Sequence, residues 1–226
     1  MNITVCRSTI LPHNPRAVDL AWFDSMVRMQ GREDSILIEG PLGLLWLYSH
    51  PESRAFATWA RDKRVLPAFN GVGMDLSGHD LRLAYLRLAD LRRVILRHAN
   101  LQEADLLGAN LYNADLLGAD LYMANLEGSN LRGADLRAAG LHRADLRLAN
   151  LEGADLRAAN LEGAVFRWSN LQKVNLRRAN LHLADLYEAD LRGANLRDTN
   201  LEGAQRSAED PPVPGWKVVN GLLVKE

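Results

Sequence analysis

The sequence has little of the features that suggest disulfides, secretion or a membrane. Cys6 is the only cysteine, so neither an intramolecular disulfide nor a cysteine-based zinc site can form. No run approaches the roughly 18 apolar residues of a membrane span, and the opening residues lack the apolar stretch of a secretory signal. The formal net charge is −1, which gives no reason to expect binding to nucleic acid or to a membrane surface. We therefore expect a cytoplasmic protein.

Leucine, by contrast, is abundant and falls in a strict register. From Leu76 to Leu201 a large residue occupies every fifth position, and 25 of these 26 positions are leucine, the exception being Phe166. A small residue, usually alanine, lies two positions before each leucine, and Asp or Asn usually lies one position before it. The unit is therefore A-(D/N)-L-x-x. An interval of five turns an α-helix by about 140° and would scatter the leucines around it, so a single long helix is excluded.

Glycine marks where the chain turns. It occupies the second x position nine times between Leu76 and Ala204. A type II turn needs a positive φ at its third residue, which glycine adopts without steric cost. Each unit is thus a very short strand followed by a corner. If each corner turns the chain by about a right angle, four units close a square coil with Ala and Leu inside.

Tandem A-(D/N)-L-x-x, as in Ala104-Asp105-Leu106, is similar to the signature of the pentapeptide repeat proteins. The resemblance covers residues 74–204 and implies that family's fold, a β-solenoid that forms a right-handed quadrilateral β-helix. At about 4.8 Å per coil, about 6.5 coils would make a rod on the order of 31 Å long. A leucine-rich repeat horseshoe has a similar period but requires L-x-x-L-x-L spacing, which is absent.

The segments on either side differ from the repeat. For residues 1–73 we predict a small helical N-terminal cap domain over the first coil, with one helix from Asn14 to about Gly31 and others within 41–49 and 52–64.

Residues 205–226 read as a linker and a C-terminal β-hairpin, because Asn220-Gly221 lies between two apolar runs. The favoured interpretation is a plug over the last coil. The alternative is a homodimer contact, which the resemblance implies because family members often pair end to end.

Residues 20 apart should lie one above another, so the surface can be sorted by face. One face carries an arginine ladder, formed by Arg97, Arg137, Arg157, Arg177 and Arg197. Asp115, Asp135 and Asp155 lie beside it and favour solvated ion pairs over an anion site. Asn175 and Asn195 replace the acids further on. A basic strip that could meet an acidic partner therefore remains, consisting of Arg177, Arg178 and Arg197.

The next face stacks His142, Glu162, His182 and Glu202. The two histidines are two coils apart, or roughly 9.6 Å, which is too far for one metal ion to be shared without Glu162 reaching both ways. We expect an exposed polar ladder and no metal site.

The third face contains the clearest departure from the repeat, in the unit 164–168. Val165 replaces the acid or amide, Phe166 replaces leucine, and Trp168 occupies a corner. Exposed aromatic residues flanked by arginine have the composition of a binding hot spot. The candidate partner-binding residues on this face are Arg147, Leu148, Val165, Arg167, Trp168 and Tyr187. The alternative is structural: Phe166 fills the core and Arg167 stacks on Tyr187.

No set of residues has the spacing of a nucleophile with its base, and no glycine-rich phosphate loop follows a strand, so we expect a protein that is not an enzyme and uses no cofactor.

The first hypothesis is an interaction scaffold that binds a protein partner through a face of the rod. Some pentapeptide repeat proteins bind DNA gyrase and topoisomerase IV by mimicking DNA, and this resemblance gives the second hypothesis. The repeat departs from that pattern, with 16 basic against 18 acidic residues and no interrupting loop. In a third hypothesis the rod is a rigid connector for the N-terminal domain.

Overall fold

The computed structural model describes residues 3–6, 35–38 and 69–226. In the N-terminal part, strand β1 (Ile3–Cys6) pairs antiparallel with strand β2 (Ser35–Ile38). These strands were not expected from the sequence. The helices predicted at 14–31, 41–49 and 52–64 lie outside the described residues. Within the described part, no helix has the length and apolar character needed to cross a membrane.

From Asn70 to Gln205 the chain winds in stacked coils. Parallel β-bridges join the Asp or Asn position of each unit to the same position 20 residues later, from Asn70 with Asp90 to Asp185 with Gln205. Four units of five residues therefore make one coil, as predicted. Residues two units apart in sequence lie on opposite faces of the rod.

The backbone hydrogen bonds explain why each unit has its consensus. In the unit at Ala104, the N–H of Ala104 closes the preceding corner on Leu101 O at 3.0 Å, and that of Asp105 donates to Ala84 O of the preceding coil at 2.9 Å. The N–H groups of the leucine and the second x residue donate to the following coil, as Leu106 does to Asn125 O at 2.7 Å. Only the first x residue lacks a backbone acceptor.

The Asp or Asn side chain supplies that acceptor. The N–H of Leu107 donates to Asp105 Oδ1 at 3.2 Å, and the same bond recurs along the rod, for example from Glu127 to Asn125 Oδ1 at 3.1 Å. A buried or partly buried N–H without a partner is costly, so an Asp or Asn before each leucine completes the hydrogen bonding of the unit.

The predicted corner geometry is confirmed. From Gly73 to Gly203 every second x residue has a positive φ, and the residue is glycine at ten of these corners and another residue at seventeen. For a residue with a Cβ this conformation is disfavoured. Stacking between coils therefore holds the corner conformation even where glycine is absent.

The core is a column of leucine and alanine. The leucines at every fifth position from Leu76 to Leu186, and most of the small residues two positions before them, are at most a few per cent exposed. The bridges begin at Asn70, one unit before the range 74–204. In this first unit Phe69 occupies the position that is usually small, and Gly71 occupies the position that is usually leucine. A Cβ on Gly71 would lie 2.7 Å from the Phe69 ring, which fills the space that a leucine at position 71 would otherwise take.

The C-terminal hairpin is present as predicted. Strand β3 (Trp216–Val219) pairs antiparallel with strand β4 (Leu222–Lys225), and Asn220 and Gly221 have φ values of 52° and 79°. Strand β4 continues onto the last coil through a bridge between Gln205 and Leu222, and Leu223 is 1% exposed. The hairpin therefore plugs part of the end of the rod.

Arg206 ends the apolar column. It lies one coil, or 20 residues, after Leu186, where the register would have a leucine, and it is buried. Its guanidinium group donates hydrogen bonds to Ala189 O at 3.4 Å and to Pro211 O at 3.1 Å. Burial lowers the pKa of Arg206, and the nearby carboxylate of Asp210, 3.9 Å away, opposes this shift. A long polar side chain that binds carbonyl groups here ties the linker to the last coil.

Candidate partner-binding surface

Five residues of the third face form a contiguous surface, which we call the aromatic patch: Arg147, Leu148, Arg167, Trp168 and Tyr187. The register places Arg147, Arg167 and Tyr187 in one column and Leu148 and Trp168 in the adjacent corner column, with neighbouring coils about 4.8 Å apart. Leu148 is 57% exposed, Trp168 48% and Tyr187 41%. The stacking therefore brings large apolar side chains from three successive coils to the surface together.

The arginines of the patch are paired with acids. Arg147 Nη2 lies 2.6 Å from both Asp145 and Glu127, and the hydrogen bond to Asp145 raises the pKa of Arg147. The unit 164–168 contains no acid of its own, but Arg167 reaches Asp185 of the next coil at 2.5 Å. Charge compensation therefore extends to this unit as well. The repeat unit alone does not reveal Asp185 as the partner of Arg167, because the pairing spans 18 residues.

The structural alternative for this unit is also present. Phe166 is fully buried, and the Arg167 guanidinium lies 5.8 Å from the centre of the Tyr187 ring. The Trp168 indole N–H donates to Glu188 at 3.2 Å. These contacts fix the orientation of the side chains without covering them, since Trp168 and Tyr187 stay about half exposed. Core filling by Phe166 and an exposed aromatic surface are therefore compatible.

Val165 leaves the unit short of one hydrogen bond. It takes part in the bridges to Asp145 and Asp185, but its side chain cannot accept the N–H of Arg167. In the described part of the chain that N–H has no acceptor, whereas Arg147 N–H donates to Asp145 Oδ1 at 3.1 Å one coil earlier. Valine at this position therefore makes the fold less stable than Asp or Asn would.

Replacing Val165 by Asn should therefore stabilise the protein. The new amide oxygen would accept the Arg167 N–H, as Asn125 Oδ1 accepts from Glu127 in the same column. We expect the free energy of unfolding to rise by about 0.5–1.5 kcal/mol, measured by urea denaturation. Val165→Ala is the control, because it removes the apolar side chain without adding an acceptor. Equal effects of the two substitutions would contradict this explanation.

The arginine ladder divides into two parts. Arg137 pairs with Asp135 at 2.6 Å, Arg157 with Asp155 at 2.7 Å, and Arg97 crosses to Asp115 at 2.6 Å. The hydrogen bond from Arg137 lowers the pKa of Asp135. Beyond Asn175 these pairs end. Arg177 and Arg197 share only Asp198, at 3.9 and 3.7 Å, and Arg178 is exposed.

The two histidines of the next face, His142 and His182, contact different partners. His142 stacks on Tyr122 with ring centres 4.4 Å apart, and His182 Nδ1 lies 2.8 Å from Glu202 O. The stack is easy to miss in the sequence because Tyr122 and His142 are related only by the 20-residue coil. Across the described ranges, no three or more histidine, cysteine or acidic side chains are grouped as metal ligands would be.

Several solved structures are similar to this chain. HetL, a pentapeptide repeat protein involved in heterocyst differentiation regulation from the cyanobacterium Nostoc sp. strain PCC 7120, is 30% identical, with 61% of this chain and 84% of HetL covered at a TM-score of 0.21. Rfr23 from the cyanobacterium Cyanothece 51142 is 30% identical over 58% of this chain and 82% of its own, at a TM-score of 0.27. QnrB1, a plasmid-mediated fluoroquinolone resistance protein, is 18% identical over 62% and 73%, at a TM-score of 0.23.

A comparison with curated proteins found no significant match. The family model for pentapeptide repeats matches eight copies that together span residues 73–203, more than half of the chain. The 20-residue bridges and the positive-φ corners follow the same repeat. This chain belongs to the pentapeptide repeat family.

Proposed function

We propose that this protein is a non-enzymatic interaction scaffold that binds a protein partner through the aromatic patch. The observation that carries the proposal is the exposure of Leu148, Trp168 and Tyr187 on adjacent coils. Single exposed apolar residues are ordinary, but a contiguous group of them on a soluble surface marks a contact site. Tryptophan, tyrosine and arginine are also the residues that contribute most to binding at protein interfaces.

The hydrogen bonding of the unit 164–168 supports the proposal. Val165 costs this unit a side-chain hydrogen bond that most units make. Leu148 and Trp168 have φ values of 58°, a conformation that they share with fifteen other non-glycine corners. Sites that serve binding commonly carry a local cost such as the one at Val165.

The contacts around the patch also favour binding. Arg167 is held between Asp185 and the Tyr187 ring, and the Trp168 indole is held by Glu188. Side chains that are already fixed lose less conformational entropy when a partner binds. A rigid solenoid therefore presents the patch in a preorganised form.

The proposal is tested by capturing partners from a lysate of the native host. We expect the double substitution Trp168→Ala and Tyr187→Ala to weaken capture of a specific partner by at least about tenfold, because both aromatic anchors are removed. The matched control is Tyr112→Ala with Met123→Ala, which removes exposed apolar side chains from other faces. If every captured protein is retained by the patch variant, or lost equally in the control, the aromatic patch is not the binding surface.

Binding to a type II topoisomerase is the competing function. Membership of the family and the rod shape support it, but mimicry of DNA requires a continuous negative field. The arginine ladder interrupts such a field, since its paired members leave one face close to neutral. Titration into a DNA gyrase supercoiling reaction, with and without a fluoroquinolone, decides between the two functions. The topoisomerase function is ruled out if micromolar protein neither inhibits supercoiling nor protects the reaction from the fluoroquinolone.

The homodimer contact through the hairpin stays a prediction. The partly exposed side chains of Val219, Leu222 and Val224 on β3 and β4 support it.

A further inference from the structure

The arginine face opposite the aromatic patch ends in a group of cations that lack individual partners. We call Arg177, Arg178 and Arg197 the basic cluster. It begins where Asn175 and Asn195 replace the aspartates found beside the earlier rungs. Both asparagines still accept the turn N–H, from Arg177 at 3.3 Å and from Arg197 at 3.2 Å. The replacement therefore preserves the corner and removes only the negative charge.

The geometry within the basic cluster leaves hydrogen-bond donors free. Asp198 lies between Arg177 and Arg197, but its distances of 3.9 and 3.7 Å to their Nε atoms are too long for hydrogen bonds. Arg177 Nε is buried and has no hydrogen-bond partner, so the donors of Arg177 that a ligand can reach are its Nη groups. In the part of the chain that the structure describes, Arg178 has no acid within ion-pair distance. Arg177 and Arg197 thus share one carboxylate and Arg178 has none, which leaves a local charge of about +2.

Neighbouring charges do not cancel this excess. Lys173, on the adjacent corner, lies 3.5 Å from Glu152, which Arg132 also approaches at 3.4 Å, and Arg192 lies 2.6 Å from Asp190. One coil earlier, Arg157 is occupied by Asp155. Among the arginines of the ladder near the cluster, only Arg177 and Arg197 therefore lack an acid of their own.

We propose that the basic cluster binds a phosphoryl group, as carried by a phosphomonoester or by free phosphate. A phosphomonoester has a charge of about −1.5 to −2 near pH 7, which matches the excess of the cluster, whereas a single carboxylate would leave it positive. Guanidinium groups donate paired hydrogen bonds to phosphate oxygens. Arg177 and Arg197 lie on rungs about 4.8 Å apart, so one tetrahedral anion can accept from both.

The test uses two probes, inorganic phosphate and a short phosphoserine peptide without other charges, each titrated into the full-length protein at low salt and followed by NMR of the arginine Nε–H groups. One variant replaces the cluster, with Arg177→Gln, Arg178→Gln and Arg197→Gln. The matched control makes the same change in net charge on the same face, with Arg97→Gln, Arg137→Gln and Arg157→Gln. A third variant, Asn175→Asp with Asn195→Asp, keeps the cluster arginines but gives two of them their own acid. Circular dichroism confirms that each variant is folded.

We expect the cluster variant and the Asn→Asp variant to bind the phosphopeptide at least about tenfold more weakly, while the control triple changes affinity by about twofold or less. Competition by inorganic phosphate would show that the free ion is also a ligand, and peptide binding without such competition would assign the site to a phosphorylated chain. Absence of binding to either probe would overturn the proposal. It would also fail if the control triple lost as much affinity as the cluster variant, or if the unphosphorylated peptide or a DNA duplex bound as tightly. None of these outcomes bears on the aromatic patch.

Discussion

Replacing Leu126 by Asp is expected to unfold the β-helix. Leu126 is fully buried in the middle of the leucine column. The substitution removes apolar packing, which alone costs about 2–5 kcal/mol, and adds a carboxylate with no partner. The sum is comparable to the total stability of an ordinary domain, about 5–15 kcal/mol. Far-UV circular dichroism and thermal denaturation measure the loss.

Leu183→Asp is the control for this prediction. It makes the same chemical change at a corner residue that is 55% exposed, and Asp tolerates the positive φ of 57° there better than leucine does. We expect its free energy of unfolding to change by no more than about 0.5 kcal/mol. A folded Leu126→Asp protein with a cooperative transition close to that of the wild type would contradict the packing described for the core.

Phe166→Ala is expected to produce the second largest loss of stability. Phe166 is fully buried at the only position of the register that is not leucine between residues 76 and 201. Truncation leaves a cavity that stacked coils cannot close, because each coil is held by backbone hydrogen bonds to the coils on both sides. The expected cost is about 3–5 kcal/mol. Urea denaturation measures it.

Phe166→Leu separates a packing role from a surface role. Leucine fits every other position of the column, so we expect a cost of less than about 1.5 kcal/mol and unchanged partner binding through Trp168 and Tyr187. If the leucine variant were as unstable as the alanine variant, the phenylalanine ring would have a role in the fold that the leucine column does not explain.

The fold could be predicted because its determinants are local and repeated. Five residues specify one strand and one corner, and the same side chains recur at every coil. The leucine register therefore predicted which side chains line the interior, and the glycines predicted the positive φ at the corners. The hairpin was predictable for the same reason, since Asn220-Gly221 specifies its turn without help from distant residues.

The start of the solenoid could not be read from the register. Phe69 and Gly71 together fill the place of an alanine and a leucine, and neither residue fits the unit alone. Similarly, β1 and β2 are four residues long and are paired across 28 intervening residues, so neither strand has a local signal of its own.

The electrostatics of the candidate surfaces were only partly predictable. The ladder was visible in the sequence, but the partner of each arginine was not. Arg137 uses the acid of its own unit, whereas Arg97 and Arg167 reach an acid 18 residues later in the next coil. The choice depends on side-chain rotamers and on which carboxylate is already engaged. The sequence does not reveal that Arg177 and Arg197 share Asp198.

The central claim is that binding is specified by the aromatic patch and not by the regular repeat. Photo-crosslinking in the native host tests it most directly, with benzoylphenylalanine introduced in place of Trp168 in one strain and in place of Tyr112, which lies on another face, in a second strain. We predict a discrete adduct with one protein from position 168 and none from position 112. The same adducts from both positions, or an adduct only from position 112, would contradict the account.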